Sequence, residues 1–254
     1  MLKPGLELKV MGCHLGPSAI SMIAEQLGEV SSLWATDNLI RAAGAVALAE
    51  ALISDGSLTE LHITNNQICD LDLDGFNFVN NTTNINLAAV TALAHMLEAN
   101  ATLKTLDVGG NRLGPQGMEI LANGLFNNGT LTTLNVTDNR IGAELGASSL
   151  AALLTRNTTL TYVSAAASND FADTGAMKLA AAIKSTTLCS LNLGGNPFSE
   201  ADWTREPHIG PQGAVAILDA CSSRKSSGLK VLDVNLRGNL FNIEPERVPE
   251  GCSV

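Results

Sequence analysis

Positive charge is what this chain lacks most. Fifteen Lys and Arg stand against 25 Asp and Glu, for a formal net charge of -10 and a pI near 4.8, and no run of basic residues occurs. Nucleic-acid binding needs Lys and Arg clustered against phosphates, so that class of function is excluded. An acidic surface instead favours a basic or neutral protein partner. No window reaches the roughly 18 apolar residues of a membrane span, and Met1-Leu2-Lys3-Pro4-Gly5-Leu6-Glu7 lacks the apolar stretch of a secretory signal.

The signatures of catalysis are missing as well. His14, His62, His95 and His208 are scattered, with no H-x-x-x-H and no Cys/His cluster to hold zinc. There is no G-x-S-x-G elbow and no GxxxxGK[ST] phosphate loop, so neither an enzyme nor a cofactor is expected. The five cysteines (Cys13, Cys69, Cys189, Cys221, Cys252) are odd in number and show no C-x-x-C pairing. A reduced cytoplasmic or other intracellular compartment is the simpler reading of that usage.

What is present is a repeat. Leu103-Lys-Thr-Leu106-Asp-Val108-Gly-Gly-Asn111-Arg-Leu113-Gly114 recurs 28 residues on as Leu131-Thr-Thr-Leu134-Asn-Val136-Thr-Asp-Asn139-Arg-Ile141-Gly142. The template is LxxLxLxxNx(L/I)G followed by a helical GxxGAxxLAxAL. Extended along the chain, it sets repeat starts at Gly5, Val30, Leu58, Leu103, Leu131, Leu160, Leu188 and Leu229. The second consensus position then reads Leu8, Leu33, Leu61, Leu106, Leu134, Val163, Leu191 and Leu232. The third reads Val10, Ala35, Ile63, Val108, Val136, Ala165, Leu193 and Val234, so both positions are apolar throughout.

The Asn position reads Cys13, Asn38, Asn66, Asn111, Asn139, Ser168, Asn196 and Arg237. An Asn buried there satisfies backbone groups of adjacent turns. Cys13 is expected to fill the same space, Asn169 to act one residue late through a local bulge, and the last repeat to depart into a cap. The N-x-T triplets at Asn100, Asn128 and Asn157 share one repeat position, which marks a structural turn rather than glycan acceptors. Gly44, Gly117, Gly146, Gly175 and Gly213 recur where a helix must approach its neighbour.

Period-2 alternation turns Leu106 and Val108 inward and Thr105 and Asp107 outward. Helical spacing of Ile120, Leu121 and Leu125 buries one helix face. Parallel strands joined by helical crossovers connect right-handedly, and the wider helices curve the array with its strands inside. These residues resemble the ribonuclease-inhibitor type of leucine-rich repeat over nearly the whole chain. The resemblance implies an α/β right-handed solenoid, strands concave and helices convex, of about eight repeats in one domain over residues 1–254. It also implies protein binding, since this repeat type serves inhibitors, innate immune receptors, actin-associated proteins and a GTPase activator.

Two repeats are too long, the third at 45 residues and the seventh at 41. Both insertions, about 69–87 and 197–208, fall between the Asn and the helix start, so both loops leave the same edge of the array. The first holds Asp70-Leu-Asp72-Leu-Asp74-Gly75, the front half of a calcium loop, with Asn81 where the motif needs an acid. The same segment also reads as a β-hairpin turning at Asp74-Gly75, with Leu71 and Leu73 opposite Phe78 and Phe76. The second holds Trp203 and Arg205, residue types enriched at binding hot spots, although Trp203 could equally anchor its own loop. Residues from about 229 to 254 read as a cap and tail.

The outward central position of the strands reads Lys9, Trp34, His62, Asp107, Asn135, Ser164, Asn192 and Asp233. Beside it runs Glu7, Ser32, Glu60, Thr105, Thr133, Tyr162, Ser190 and Val231. With six Phe, two Trp and one Tyr in the chain, a Trp on the open face stands out. Trp34 is expected to be largely exposed and to anchor a protein partner, flanked by His62 and Tyr162. The competing reading is that a chain terminus or self-association covers it. The edge at Leu8 and Val10 offers pairing to another chain, so either the sequence is a segment of a larger protein or the ends associate. An alternative function follows from the resemblance: a GTPase activator working from the edge loops, near which Arg41, Arg112 and Arg140 lie.

Overall fold

The computed structural model describes residues 5–71, 85–195, 209–239 and 248–253. Strands and helices alternate as β1 Leu6–Lys9, α1 Pro17–Ala24, β2 Val30–Trp34, α2 Arg41–Leu52, β3 Glu60–His62, α3 Ala88–Ala99, β4 Thr105–Asp107, α4 Gly114–Leu125 and β5 Thr133–Asn135. A π-helical turn over Gly142–Gly146 then leads into α5 Ala147–Arg156, followed by β6 Tyr162–Ser164, α6 Ala172–Ile183, β7 Ser190–Asn192, α7 Pro211–Ser226, β8 Asp233–Asn235 and β9 Cys252–Ser253. All of these strands pair parallel, each with its neighbour in the chain, in one open sheet. Helices cover one side of the sheet, and the other side forms the concave face of a solenoid.

Register follows from the apolar pattern, because a slip of one residue would send every inner side chain to solvent. Leu33, Leu61, Leu106, Leu134, Val163, Leu191 and Val234 stand on successive rungs and are fully buried. Helix stripes such as Leu93, Met96 and Leu97 of α3 and Met118, Leu121 and Leu125 of α4 close the same core.

Each coil turns two corners inside the protein, and each corner strands backbone groups away from water. At the strand-to-helix corner the amide of Asn139 donates to Val108 and Thr137 carbonyls at 3.0 and 3.1 Å. Its oxygen accepts from the Asn111 and Leu113 N–H groups, and its own N–H goes on to the Asn169 oxygen at 2.9 Å. Asn38, Asn66, Asn111 and Asn169 repeat the pattern, so the rungs are joined by one ladder of amides. Asn196 lies outside the described residues. The second corner has its own column: Asn128 donates to Leu97 and accepts from Thr130 and Leu131, while Asn100 and Asn157 do the same in their repeats. All three are buried, so the N-x-T triplets are indeed structural turns.

At the next second corner that column stops at Thr186, and a residue from the following repeat takes over. Arg224, 3 % exposed on α7, donates to the carbonyls of Ile183, Thr186, Leu188 and Lys230. Four neutral acceptors thus satisfy a buried guanidinium, whose rigid fork suits several carbonyls at once.

Four local expectations are settled by the geometry. Cys13 is exposed and bonds only to its own turn, through the Met11 carbonyl, so it fills no inner space. Asn169 does act late, through Ala167 and Ser168 at φ 47 and 20. The eighth repeat begins at Val231 rather than Leu229: Val234 pairs with Leu191, Leu236 is the third inner residue, and Asn239 donates to Leu193 and Leu236. Its outward residue is therefore Asn235 and not Asp233. Gly213 does permit close helix approach, since a Cβ there would lie 2.7 Å from Ala176 of α6, but Gly146 is confined by its own turn, 2.0 Å from the Ile141 carbonyl. The segment from Asn139 to Asn157 is one residue longer than that from Asn111 to Asn128, and the π turn absorbs the extra residue.

These two corners generate a stability prediction. Asn139→Ala leaves the Asn111 and Leu113 N–H groups without their acceptor and takes one of two donors from each of the Val108 and Thr137 carbonyls, and Arg224→Met strips the guanidinium from four carbonyls. Each should lower stability by about 3 kcal/mol or more. A urea-midpoint shift no larger than that of an exposed change such as Glu98→Ala would refute the ladder's role.

Candidate functional site on the concave face

Because the strands pair in register, equivalent outward side chains stand one strand spacing apart, about 4.8 Å. Lys9, Trp34, His62, Asp107, Asn135, Ser164, Asn192 and Asn235 form one column. Glu7, Ser32, Glu60, Thr105, Thr133, Tyr162, Ser190 and Asp233 form the next.

The first four members of the central column make one cluster. The rings of Trp34 and His62 stack at 3.6 Å between centroids and 9° between planes, and the Lys9 ammonium stands 5.7 Å from the indole. The indole N–H donates to Ser32 Oγ at 2.8 Å, and Ser32 Oγ donates to Glu60 at 3.1 Å. His62 presents Nδ1 to Asp107 at 3.6 Å and Nε2 to Glu60 at 3.9 Å. Lys9 also pairs with Glu7 at 3.0 Å. Trp34 is therefore half-buried, contrary to the expectation of a largely exposed ring, and His62 is 9 % exposed. The physical cause is lateral: a flat ring on one rung lies against the rings and stems of the rungs on either side, leaving an edge to solvent.

Asp107 closes the cluster. Burial pushes its carboxyl upward, but hydrogen bonds from His62, Thr64, the Gly109 N–H and Asn135 outweigh it and hold the group below the usual carboxylate range. Farther along, the polar side chains pair with one another. Thr137 and Ser164 share a bond at 2.8 Å, Asn192 donates to Ser164 at 3.2 Å, Asn235 to Asn192 at 2.9 Å, and Ser253 to Asn235 at 3.1 Å. Tyr162 is 38 % exposed but sits four strands from Trp34, about 19 Å by strand spacing, in the other column. The structure thus unites Lys9, Trp34, His62 and Asp107, puts Asn135 at their border, and leaves Tyr162 apart. Ser32, Glu60 and Thr64 complete the cluster, and same-rung spacing was the signal that could have found them.

Trp203 and Arg205 lie outside the described residues, as do Asp72, Asp74 and the Asp74-Gly75 turn. Asp70 is described and buried. One carboxylate oxygen accepts the Ala42 N–H at the start of α2 at 3.0 Å, and the other accepts Asn86 at 2.7 Å. It caps a helix and ties the two ends of the first insertion, a structural role that accounts for its burial without an ion. Arg112 and Arg140 follow their ladder Asn directly, whereas Arg41 stands at the left-handed position held by Gly114 and Gly142, with φ 56. The three arginines do not share one repeat position.

The Asp107 geometry sets an acid dependence. A carboxyl depressed in the fold contributes stability above its unfolded pKa of about 3.9, and that contribution is lost as pH falls through the lower folded value. Urea titrations should show parent and Asp107→Asn separated by a constant gap near about pH 6 that closes below about pH 4. A gap independent of pH would contradict this assignment.

Comparison with known proteins bears on the repeats. A family model described as "Leucine Rich repeat" matches residues 99–122 and 127–151. No curated protein sequence matches the chain. Among solved structures, the leiomodin-1 actin-binding site 2 is similar at 18% identity and TM-score 0.46, over 82% of this chain and 88% of that one. The Caenorhabditis elegans tropomodulin C-terminal domain is similar at 15% and 0.47, over 71% and 95% respectively. The TLR13 chain of a TLR13–ssRNA13 complex gives 14% and 0.37, over 90% of this chain and 35% of that one. These three TM-scores are below 0.5 and carry no argument; residues 99–122 and 127–151 are leucine-rich repeats, and the register of the sheet continues the same coil through the described residues on either side.

Proposed function

We propose that the protein is a non-catalytic interaction scaffold that binds another protein across its concave face. The observation that carries this reading is the cluster of Lys9, Trp34, His62 and Asp107. It is an aromatic stack fixed by hydrogen bonds on an open sheet surface, where folding alone asks for no aromatic residue. Preorganised rings present contact area at little entropic cost, which is what a binding centre requires. Glu7, Glu60 and Asp107 line the same rungs, so a partner segment bearing Lys or Arg fits this face. Asn135 and Tyr162 form the continuing surface, and we count Trp203 and Arg205 of the second insertion among the candidate contacts on the residue types alone. No described helix is long and apolar enough to cross a membrane.

The test is a comparison of the parent with Trp34→Ala and Trp34→Phe as affinity baits. Removing a hot-spot indole costs on the order of 2 kcal/mol, about a 30-fold weaker Kd. We expect the Ala bait to lose a protein that the parent retains, the Phe bait to keep part of it, and added salt to weaken retention. Circular dichroism of the baits separates lost binding from lost fold. Equal recovery of every protein by a folded Trp34→Ala bait would overturn the proposal.

A further inference from the structure

The last helix and the last strand meet at two points. Cys221 and Lys225 stand one turn apart on α7 and so face the same way. Lys225 bonds to Glu250 at 2.8 Å, and the Cys221 thiol lies against the thiol of Cys252, close enough to donate a hydrogen bond to it. Cys221 is buried in the core, and Cys252, half-buried, packs against that core. β9 has only two residues. Its backbone bonds to β8 run from Val234 N–H to Gly251 at 2.8 Å and from Leu236 N–H to Ser253 at 2.7 Å. A covalent link at Cys252 would therefore change how firmly this rung is held.

We propose that Cys221 and Cys252 form a reversible dithiol–disulfide pair that locks the terminal strand to α7. The Lys225–Glu250 ion pair one helical turn from Cys221 and two residues from Cys252, and the packing of Cys252 on the core that holds Cys221, bring the two thiols to one place between elements that the solenoid holds together. They differ in chemistry. The hydrogen bond from Cys221 holds the Cys252 thiol below its ordinary range, while giving that bond pushes Cys221 upward, and burial adds to the rise. Cys252, the half-buried thiol that a small disulfide can reach, is the attacking group, and the buried Cys221 is the resolving one. In the first step the Cys252 thiolate attacks one sulfur of a low-molecular-weight disulfide such as glutathione disulfide, forming a mixed disulfide and releasing one thiolate. That thiolate takes the Cys221 proton. The Cys221 sulfur then attacks Cys252, and the second small thiolate leaves and is protonated by solvent. Two protein thiols are oxidised and one small disulfide is reduced to two thiols. Cys69 is a poor competitor, since burial pushes its thiol up to about 12.

The full chain would be incubated with glutathione disulfide, quenched in acid, alkylated and digested without reduction for mass spectrometry. We expect a peptide linking Cys221 to Cys252, an intact mass lower by two hydrogens once adducts on exposed Cys13 and Cys189 are set aside, and reversal by dithiothreitol. The oxidised parent should melt several degrees higher than the reduced protein, and Cys252→Ser should show no such rise. A stable glutathione adduct on Cys252, two separately alkylated thiols at 221 and 252, or an equal rise in Cys252→Ser would each overturn the proposal.

Discussion

A solenoid coil has to turn twice within the protein, and at each turn the chain carries N–H and C=O groups into a place water cannot reach. Leaving such groups unpaired costs roughly 1–3 kcal/mol each. The fold exists because side-chain amides supply both a donor and an acceptor at those turns. Asn38, Asn66, Asn111, Asn139 and Asn169 do so at one corner, and Asn100, Asn128 and Asn157 at the other. Each amide holds its own turn and the adjacent one, so the repeats cannot form independently. Arg224 shows that the requirement is for donors and not for asparagine as such.

The same ladder fixes what the concave face can be. Once the amides lock the register, equivalent side chains on neighbouring strands stand within contact distance, and a column of polar residues pairs with itself. Along most of the sheet this happens, from Thr137 to Ser253, and such a surface has fewer free donors to offer. At the N-terminal rungs the column instead carries two rings and opposed charges. Stacking there consumes the faces of Trp34 and His62 while leaving an indole edge and the Glu60 and Asp107 carboxylates at the surface. Contact along the ladder is therefore what distinguishes the candidate site from the rest of the sheet.

How much of this was legible depended on whether a signal was periodic. Strand positions, the amide ladder, the late Asn169 and the structural role of the N-x-T triplets all recur and were readable. The eighth repeat was misplaced by two residues because Leu229, Leu232 and Val234 satisfy the same alternation as Val231, Val234 and Leu236; only Asn239, the last donor of the ladder, decides between them. Trp34 was placed on the correct face with the wrong exposure, since a period-2 pattern says which side a residue faces and nothing about its lateral neighbours. Arg224 and the meeting of Cys221 with Cys252 left no periodic trace, because each joins elements through the array and not along it.

The position of the insertions follows from the same physics. Between the ladder Asn and the helix start the chain is already past one fixed corner and has not reached the other, so added residues disturb neither. In the third repeat the two ends of the inserted segment are closed by the Asn86 N–H on the Cys69 carbonyl at 3.1 Å and by the Asn86 amide on Asp70. Asp70 also holds the N-terminus of α2 in the preceding coil, and across the seventh repeat's insertion Asp173 of α6 holds Gly213 at the start of α7. With the ends pinned together, the array is indifferent to what lies between them, since loop-closure entropy rises only slowly with length. An insertion anywhere on the strand would break the register that the concave face depends on. Length can therefore vary off the strand, in these insertions and again in α7, which runs 16 residues where α2, α3, α4 and α6 run 12.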